Sequence, residues 1–324
     1  MRTFFLAVGI ALMSSAASAQ TSRSASAPAA QPPGAAVDAS LATAPGHEVN
    51  VSGGGYTYSE PGDLSISIHG PKIGGGYTGT LLLGKSRRWF AQADMRGTVG
   101  NVTYDGWCSP FLITPDSTSP NGYALDLGDA SPCSESGDSD WYVEARGLIG
   151  KDFVGHKWGV SLDTGLGTRH LSNGTTGIDG FRTDTYLYLP LGVTARTRVA
   201  SHGALGFNLE YDHLLRGWQT TRDSALGGGE VAATPTAPAF TIDGLSDISF
   251  DQHDGWALRA SAKYQVTRRW SVEPAYIYWH VSASTVNYGT ATFTVNNVTV
   301  VQQVGAYEPV NVTHEFVVRL GFHL

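Results

Sequence analysis

The chain after residue 63 alternates between apolar and polar residues over most of its length. In the segment that begins at Trp89, every second residue is apolar or small, and most of the residues between are polar or charged. The same pattern begins again at Trp141, Trp158, Leu187, Leu205, Trp256 and Phe316. A period of two over about ten residues is typical of a β-strand with one apolar face. The sequence therefore predicts an all-β fold.

The connections between these segments alternate in length. Short ones fall near 84–88, 150–157, 198–204 and 266–270, and long ones near 105–140, 169–184, 218–254 and 284–311. A water-soluble β-sandwich would show the same period, but short periplasmic turns and long extracellular loops are typical of an antiparallel transmembrane β-barrel. Nearly all of the eight tryptophans also lie at or close to predicted strand ends, where aromatic girdles meet the membrane interfaces. The pattern therefore favours a membrane barrel.

The number of strands depends on how the first hairpin is placed. Residues 77–84 are predicted to descend toward the first short turn, and residues 64–68 to form a short ascending strand before them. The glycine-rich stretch 70–76 would then join the two strands. This gives about ten strands within residues 63–324, with both chain ends in the periplasm, and eight or twelve strands remain alternatives.

The last strand carries an apolar face that includes Phe322 and Leu324. It resembles the C-terminal targeting strand of Gram-negative outer-membrane proteins, although those usually end in an aromatic residue. The resemblance implies localisation in the cell outer membrane and a role for the outer-membrane insertion machinery as a partner. Outer-membrane lipid and lipopolysaccharide are the other partners that we expect.

The N-terminal residues predict export and then a segment without a core. Arg2, the apolar run 4–13 and the Ala-Ser-Ala at 17–19 are typical of a secretory signal peptide, which we place at residues 1–19. Residues 20–62 are rich in Ala, Ser, Pro and Gly, and such a composition buries too little apolar surface to offset its ordering entropy. We therefore predict a disordered segment over 20–62.

Two cysteines, Cys108 and Cys133, lie within the first long loop. An even pair in an exported chain predicts a disulfide, which would close a loop and brace it. The formal net charge of -7 argues against a nucleic-acid partner. The alternative for the cysteines is a pair of free thiols.

The polar phase of the predicted strands points into the lumen if the apolar phase faces lipid. It carries charges of both signs in similar number: Asp94, Arg96, Glu144, Arg146, Asp163, Arg196, Glu210, Asp212, Arg216, Arg259, Lys263, Glu315 and Arg319. A barrel of about ten strands has little room beyond its own side chains, and charges buried there need partners. We expect a lumen filled by ion pairs, with a narrow charged pore as the alternative.

The loop from Arg169 to Asp184 contains a histidine, a serine and a carboxylate. His170 and Ser172 share the parity of the lipid-facing residues of their strand, whereas Asp184 has the opposite parity to Leu187 on the next strand. Chemically, His170 could take the proton of the Ser172 hydroxyl and activate it for attack on an acyl group, with Asp184 fixing the imidazole tautomer. Asp184 should nevertheless point into the lumen unless a bulge intervenes.

The run His170-Leu171-Ser172-Asn173 resembles the His-x-Ser-Asn motif of outer-membrane lipid A deacylases, which are small barrels that remove an ester-linked acyl chain. The resemblance implies Ser172 as nucleophile, His170 as base and Asp184 as orienter. In this chain the motif lies mid-sequence rather than near the C-terminus, and the acid is Asp rather than Glu. The alternative is an ordinary loop, which the glycines at positions 174, 177 and 180 favour.

Other candidates for chemistry have weaker patterns. Asp212 and His213 resemble the Asp and His of outer-membrane aspartate-dependent proteases, but adjacent strand residues face opposite sides. His253 lies between Asp251 and Asp254 on a long loop, where the three could bind a cation or remain solvated. No glycine-rich phosphate loop opens a helix and no C-x-x-C is present, so we expect neither a cofactor nor a metal.

Three functions therefore stay open for the predicted barrel. It could be a structural or surface-interaction protein with a filled lumen, a lipid A acyl-ester hydrolase, or a narrow channel. Whether the protein is an enzyme is left undecided by the sequence, because architecture alone does not specify an activity.

Overall fold

A computed structural model describes residues 41–62, 65–174, 181–199, 203–226 and 228–324. Seventeen strands lie within these residues. In chain order they are β1 Gly46–Glu60, β2 Ile66–Leu83, β3 Trp89–Cys108, β4 Phe111–Pro115, β5 Tyr123–Leu127, β6 Ser131–Val154, β7 Trp158–Gly174, β8 Phe181–Val199, β9 Gly203–Arg222, β10 Gly229–Val231, β11 Phe240–Leu245, β12 Ile248–Gln252, β13 Gly255–Gln265, β14 Trp270–Val281, β15 Asn287–Val295, β16 Val298–Ala306 and β17 Asn311–His323.

Ten of these strands close into an antiparallel barrel. The neighbours run β1, β2, β3, β6, β7, β8, β9, β13, β14 and β17, and β17 pairs back with β1. Strand β12 adds to the upper end of β9. The prediction of about ten strands is confirmed, and the start of β1 lies beside the end of β17, with Glu48 opposite His323. Closure leaves no open edge in the membrane, which is the condition for a sheet to span lipid.

The predicted first hairpin and part of the predicted disordered segment are wrong. Residues 46–60 form strand β1, and residues 70–76 lie inside β2 rather than in a turn, so that Gly53 pairs with Ile73 and Val51 with Gly75. A Cβ at Gly54 would collide with the carbonyl of Phe316 on β17. Glycine is therefore needed where these backbones approach closely, and it removes the apolar alternation that marks the other strands.

The structure describes the N-terminal part of the chain only from residue 41 onward. The signal peptide at 1–19 and residues 20–40 lie outside the described part of the chain. Leu41 and Thr43 are buried ahead of β1, and the Thr43 amide donates to Asp152 at 2.9 Å. This short segment packs beside the lumen-facing Gly159 of β7. It therefore occupies the periplasmic mouth of the barrel.

The apolar phase faces outward, as predicted. Met95, Leu166 and Phe316 expose 61%, 55% and 56% of their surface, although each lies in the middle of a long strand. Residues of the other phase are buried instead, as Glu144 is beside the exposed Val143. An apolar exterior around a polar interior matches a barrel that is surrounded by lipid. In the described residues no helix has the length and apolar character to cross a membrane, and a 3-10 turn lies at Asp223–Leu226.

The long connections on one side of the barrel are folded rather than open. The β4–β5 hairpin rises between β3 and β6, and a separate four-stranded sheet has the order β10-β11-β15-β16. We call the hairpin and this sheet the extracellular cap. Its core consists of seven buried residues: Ile113, Leu125, Phe240, Ile242, Ala291, Phe293 and Val295. The cap therefore has an apolar interior of its own.

Three local features stabilise the cap. The Gln302 side chain exchanges two 2.8 Å hydrogen bonds with the backbone of Leu125, which joins β16 to the hairpin. Asn296 and Asn297 both have left-handed φ and form the tight turn between β15 and β16. The predicted disulfide between Cys108 and Cys133 is confirmed at the base of the hairpin. It ties the top of β3 to the top of β6.

Candidate functional site

The three residues of the predicted hydrolase site lie on two adjacent strands. Strand β7 carries His170 and Ser172, and β8 carries Asp184, which pairs with Leu171. The His170 Nδ1 atom lies 2.7 Å from the Oγ1 of Thr185, its own cross-strand partner. The imidazole also contacts the ring of Trp141 at a centroid distance of 5.5 Å. His170 thus lies on the outer surface of the barrel, next to an aromatic residue.

Ser172 and Asp184 do not complete a triad with His170 in this arrangement. The Ser172 Oγ is buried and has no hydrogen-bond partner among the described residues. Asp184 faces the lumen and lines a small cavity beneath the cap. The cavity is lined by Tyr58, Ile66, Ile68, Tyr104, Asn173, Arg182 and Asp184. The wall of the barrel therefore separates the carboxylate from the histidine, as residue parity predicts.

The centre of the lumen is crossed by a belt of ion pairs. Arg259 on β13 bonds to Asp212 at 2.5 Å and, across the lumen, to Glu144 on β6 at 2.5 Å. Arg146 reaches back from β6 to Glu210 on β9 at 2.5 Å. We call these residues, with Asp94 and Arg96 on β3, the charge belt. It joins opposite walls of the barrel through charge-assisted hydrogen bonds.

A layer of aromatic side chains lies next to the charge belt on its extracellular side. Trp279 is almost fully buried and contacts Tyr186 and Tyr188 at centroid distances of 5.6 and 5.2 Å. The Arg169 guanidinium stacks over Tyr142 at 4.2 Å and lies 5.6 Å from Trp279. These are distances at which cation–π attraction operates. The charge belt and the aromatic layer therefore form two adjacent levels of buried side chains in the lumen.

The periplasmic part of the lumen is also occupied by paired groups. Glu48 receives hydrogen bonds from Lys263 at 2.6 Å and pairs with His323 at 2.7 Å. Asp152 accepts from the Thr43 hydroxyl at 2.9 Å and from Ser161 at 2.6 Å. Paired side chains therefore also line the periplasmic part of the lumen.

The extracellular end of the lumen holds a cluster that connects barrel and cap. Arg182 pairs with Glu60 at 2.5 Å, and Gln219 donates to Glu308 at 2.6 Å. The Tyr58 hydroxyl lies 2.9 Å from both carboxylates. We call these five residues the neck cluster. Glu308 belongs to the connection between β16 and β17, so the cluster fastens the base of the cap to the barrel wall.

Opposing influences act on the pKa of the Glu308 carboxyl in the neck cluster. Burial raises the pKa of the Glu308 carboxyl above its usual value. Arg182 acts against this shift and Glu60 adds to it. A buried acid that shares its surroundings with a second carboxylate is easier to keep neutral than charged.

One predicted lumen residue lies on the other side of the wall. The pairing of β8 with β9 shifts by one residue between Leu187 and Tyr188, because Tyr188 pairs with Leu214 whereas Leu187 pairs with Arg216. Arg216 is therefore exposed on the outer face, where it pairs with Asp251 at 3.1 Å. A single-residue bulge reverses the parity of everything beyond it, so the sequence pattern placed Arg216 wrongly.

One buried ion pair of the lumen is not predicted by the sequence pattern. Lys72 bonds to Asp140 at 2.5 Å, and its ammonium lies 3.3 Å from the centroid of the Tyr56 ring. Lys72 falls in the stretch that the sequence analysis predicts to be a turn, so no side of the barrel wall is predicted for it. Counting alternate positions from Ile68, which is buried toward the interior, would have placed Lys72 inside.

The weaker candidates remain separate. Asp212 is fully buried in the lumen, whereas His213 stacks beside Tyr211 on the outer face. Asp251 pairs with Arg216, and the Asp254 carboxylate accepts from Ser282. Within the described residues, no group of three or more His, Cys, Asp or Glu side chains is arranged to hold a metal ion.

Comparison with known proteins adds only structural likenesses. No protein-family model and no curated protein matches the chain. The fold is similar to the outer membrane protease OmpT from Escherichia coli, with 13% identity, a TM-score of 0.44, and coverage of 86% of this chain and 96% of that one. It is also similar to the translocator domain of the autotransporter NalP from Neisseria meningitidis, with 11% identity, a TM-score of 0.34, and coverage of 89% and 91%.

An outer membrane channel from Pseudomonas putida F1 matches at 11% identity and a TM-score of 0.34, covering 89% of this chain and 98% of that one. Likenesses of this degree argue for none of the three activities. The class follows from the molecule itself, because a closed antiparallel barrel with an apolar exterior, short turns at one end and long connections at the other defines an integral outer-membrane protein. The chain is an outer-membrane β-barrel.

Proposed function

We propose that this protein is a closed barrel that holds the extracellular cap at the cell surface, where the cap makes contacts with other molecules. The observation that carries the proposal is the charge belt, in which Arg146 and Arg259 bond across the lumen to Glu210 and Glu144. A barrel whose lumen is bridged in this way serves as a rigid support rather than as a path for solutes.

The energetics of the belt favour a lumen that stays closed. Removing one partner from a buried ion pair is strongly destabilising, by about 3–5 kcal/mol, because the other charge is left without compensation. A continuous pore would require several such contacts to separate together, including those of Arg259 with Glu144 and Asp212. The charge belt therefore supports a non-conducting lumen.

Lipid and lipopolysaccharide are the partners that the outer surface favours. Its apolar band includes Leu162 and Phe207, and aromatic side chains such as Trp158 and Trp270 lie at the strand ends on the periplasmic side. Aromatic residues are enriched at the level of the headgroups. The outer-membrane insertion machinery is proposed as the partner that delivers the strands to this position.

Conductance of the purified protein in planar bilayers tests the closed lumen. The expected result is no steady current for the native protein. The double variant Arg146→Ala/Arg259→Ala, which removes both transverse contacts, should conduct if it still folds. Folding is checked by heat-modifiable gel mobility. Steady single-channel current from the native protein would overturn the proposal and favour the narrow channel.

Hydrolysis of lipid A is a second candidate, and the position of His170 and Ser172 on the lipid-facing wall is the observation that favours it. A substrate in the outer leaflet would meet His170 from outside the barrel, and the neighbouring Ser172, which is buried in this structure, would have to become accessible to it. Catalysis would then proceed without Asp184 as orienter, since that carboxylate faces the lumen. Thr185, which lies 2.7 Å from His170 Nδ1, is the group placed to orient the imidazole.

Mass spectrometry of lipid A tests this second candidate. A Gram-negative host would express the native protein, Ser172→Ala or the neighbouring control Thr183→Ala, which is the cross-strand partner of Ser172. Loss of one acyl chain with the native protein and the control, but not with Ser172→Ala, would establish an esterase. Identical lipid A in all three strains would exclude it.

A further inference from the structure

The four-stranded sheet of the cap has two unlike edges. On one side β10 is only three residues long, so it offers little unpaired backbone. On the other side β16 runs for nine residues, and in the described part of the chain no strand pairs with its outer edge. Natural proteins usually shield an edge of this length with charge, proline, a bulge or a covering segment.

None of the usual protections is present in the residues of β16. The strand contains no proline, and its pairing with β15 is regular from Val298 to Ala306. No charged residue occurs between Val281 and Tyr307, in a chain whose formal net charge is -7. An uncharged edge strand with high β-propensity is a template for the addition of another strand.

The outer face of the sheet beside this edge is uncharged and mixes apolar residues with threonine and glutamine. Val301 exposes 65% of its surface and Tyr288, on the neighbouring strand, exposes 60%. The other face of β16 carries Val300 and Val304, which pack against the cap core. A strand added at the edge would therefore extend both the buried face and the exposed face.

We propose that the β16 edge pairs with the β16 edge of a second copy of this chain, so that two caps share one continuous sheet. The inference rests on the proposed surface-contact role of the cap. It identifies the molecule that the cap contacts as a second copy of the same chain. The lack of charge is what selects a second copy, because identical edges then meet without the like-charge opposition that normally prevents self-pairing.

The geometry of such a pairing is consistent on both faces. An antiparallel two-fold arrangement centred on Gln302 places Val301 of each copy opposite Gln303 of the other, and Val300 opposite Val304. Residues that face the core then meet residues that face the core, as strand alternation requires. The interface is isologous, so that each copy contributes the same surface and the assembly closes as a dimer.

The mass of the purified protein in detergent, measured by light scattering, tests this pairing. The native protein should be a dimer, and the double variant Val301→Lys/Gln303→Lys should dimerise about tenfold or more weakly because like charges face one another across the edge. The matched control is Thr292→Lys/Thr290→Lys. It adds the same two charges at the cross-strand partners of those positions, on a strand that is paired on both sides.

A cysteine scan supplies a readout that does not depend on affinity. The double variants Val301→Cys/Gln303→Cys and, as control, Thr292→Cys/Thr290→Cys would be oxidised in the purified protein, because the proposed register sets residue 301 of one copy opposite residue 303 of the other. A disulfide dimer from the edge variant, but not from the control, supports the pairing. A monomeric native protein, an equal effect of the two lysine pairs, or equal cross-linking of the two cysteine variants would overturn it. Conductance is unaffected by this result, so the two proposals fail separately.

Discussion

The lumen of the barrel and the core of the cap are two interiors of opposite chemistry in one chain. The lumen is lined by carboxylates, guanidinium groups and tyrosines, with residues such as Glu144 and Arg259 almost completely buried. The cap core is built from apolar side chains such as Phe240, Phe293 and Val295. The difference reflects the solvent outside each region, since the barrel faces hydrocarbon and the cap faces water.

Each interior is therefore stabilised by a different force. Water drives the apolar side chains of the cap inward, because burial removes apolar area from water. Lipid offers no such drive, so the barrel places its apolar residues outside and depends on its backbone ladder and its internal polar contacts. This contrast predicts that charge removal should damage the barrel and that truncation of apolar side chains should damage the cap.

The largest effect is expected from Arg259→Ala. The substitution leaves Glu144 and Asp212 without their shared guanidinium, and we expect the free energy of unfolding to fall by about 3–5 kcal/mol. Urea unfolding in lipid vesicles, followed by tryptophan fluorescence, measures it. The control is Arg216→Ala, which breaks an exposed pair with Asp251 and should cost about 1 kcal/mol or less. Equal losses in the two variants would contradict the role of the charge belt.

A somewhat smaller effect, confined to the cap, is expected from Phe293→Ala. Phe293 is fully buried among Ile113, Phe240 and Val295. Truncation should destabilise the cap by about 3 kcal/mol, the lower end for such a change, because the cap is small enough to collapse partly into the space. The measurement is the rate of protease cleavage in the cap of intact cells. Heat-modifiable mobility of the barrel should not change, and its loss would show that the two interiors are not independent.

The barrel strands were predictable from the sequence wherever side chains report the period of two. From Trp89 onward the lipid-facing and lumen-facing positions alternate for long runs, and the structure follows them. The prediction failed where glycines replace that signal, as at Gly53 and Gly74 on β1 and β2. There the close approach of neighbouring backbones, rather than a contrast of side chains, decides the structure.

The side of the barrel wall on which each candidate residue lies was predictable only where the strand has no bulge. The opposite faces of Ser172 and Asp184 follow from counting residues, whereas the outward position of Arg216 depends on a one-residue shift that no composition signal marks. The cap core could not be predicted at all. Its members come from connections that are far apart in sequence, with Ile113 and Phe293 brought together only by tertiary packing.

The smallest expected effect is a pH dependence at the junction of the two interiors. Burial raises the pKa of Glu308 above its value in the unfolded chain, so the folded state binds this proton more tightly than the unfolded chain does. The contribution of Glu308 to stability is complete below its pKa in the unfolded chain, about 4.3 for glutamate. It is lost as the pH rises through the higher pKa of the folded state. Protease cleavage at the base of the cap should therefore become faster as the pH is raised across this window.

Glu308→Gln keeps the shape of the side chain and its hydrogen bond with Tyr58 but cannot ionise, so cleavage of this variant should stay slow across the window. Asp116→Asn is the matched control, because the exposed Asp116 lies in the cap hairpin and has a pKa that its hydrogen bonds with Thr118 lower rather than raise. It should leave the pH profile of cleavage at the neck unchanged. If Glu308→Gln followed the same profile as the native protein, the neck cluster would fasten the cap by packing alone, and the two interiors would meet without electrostatic linkage.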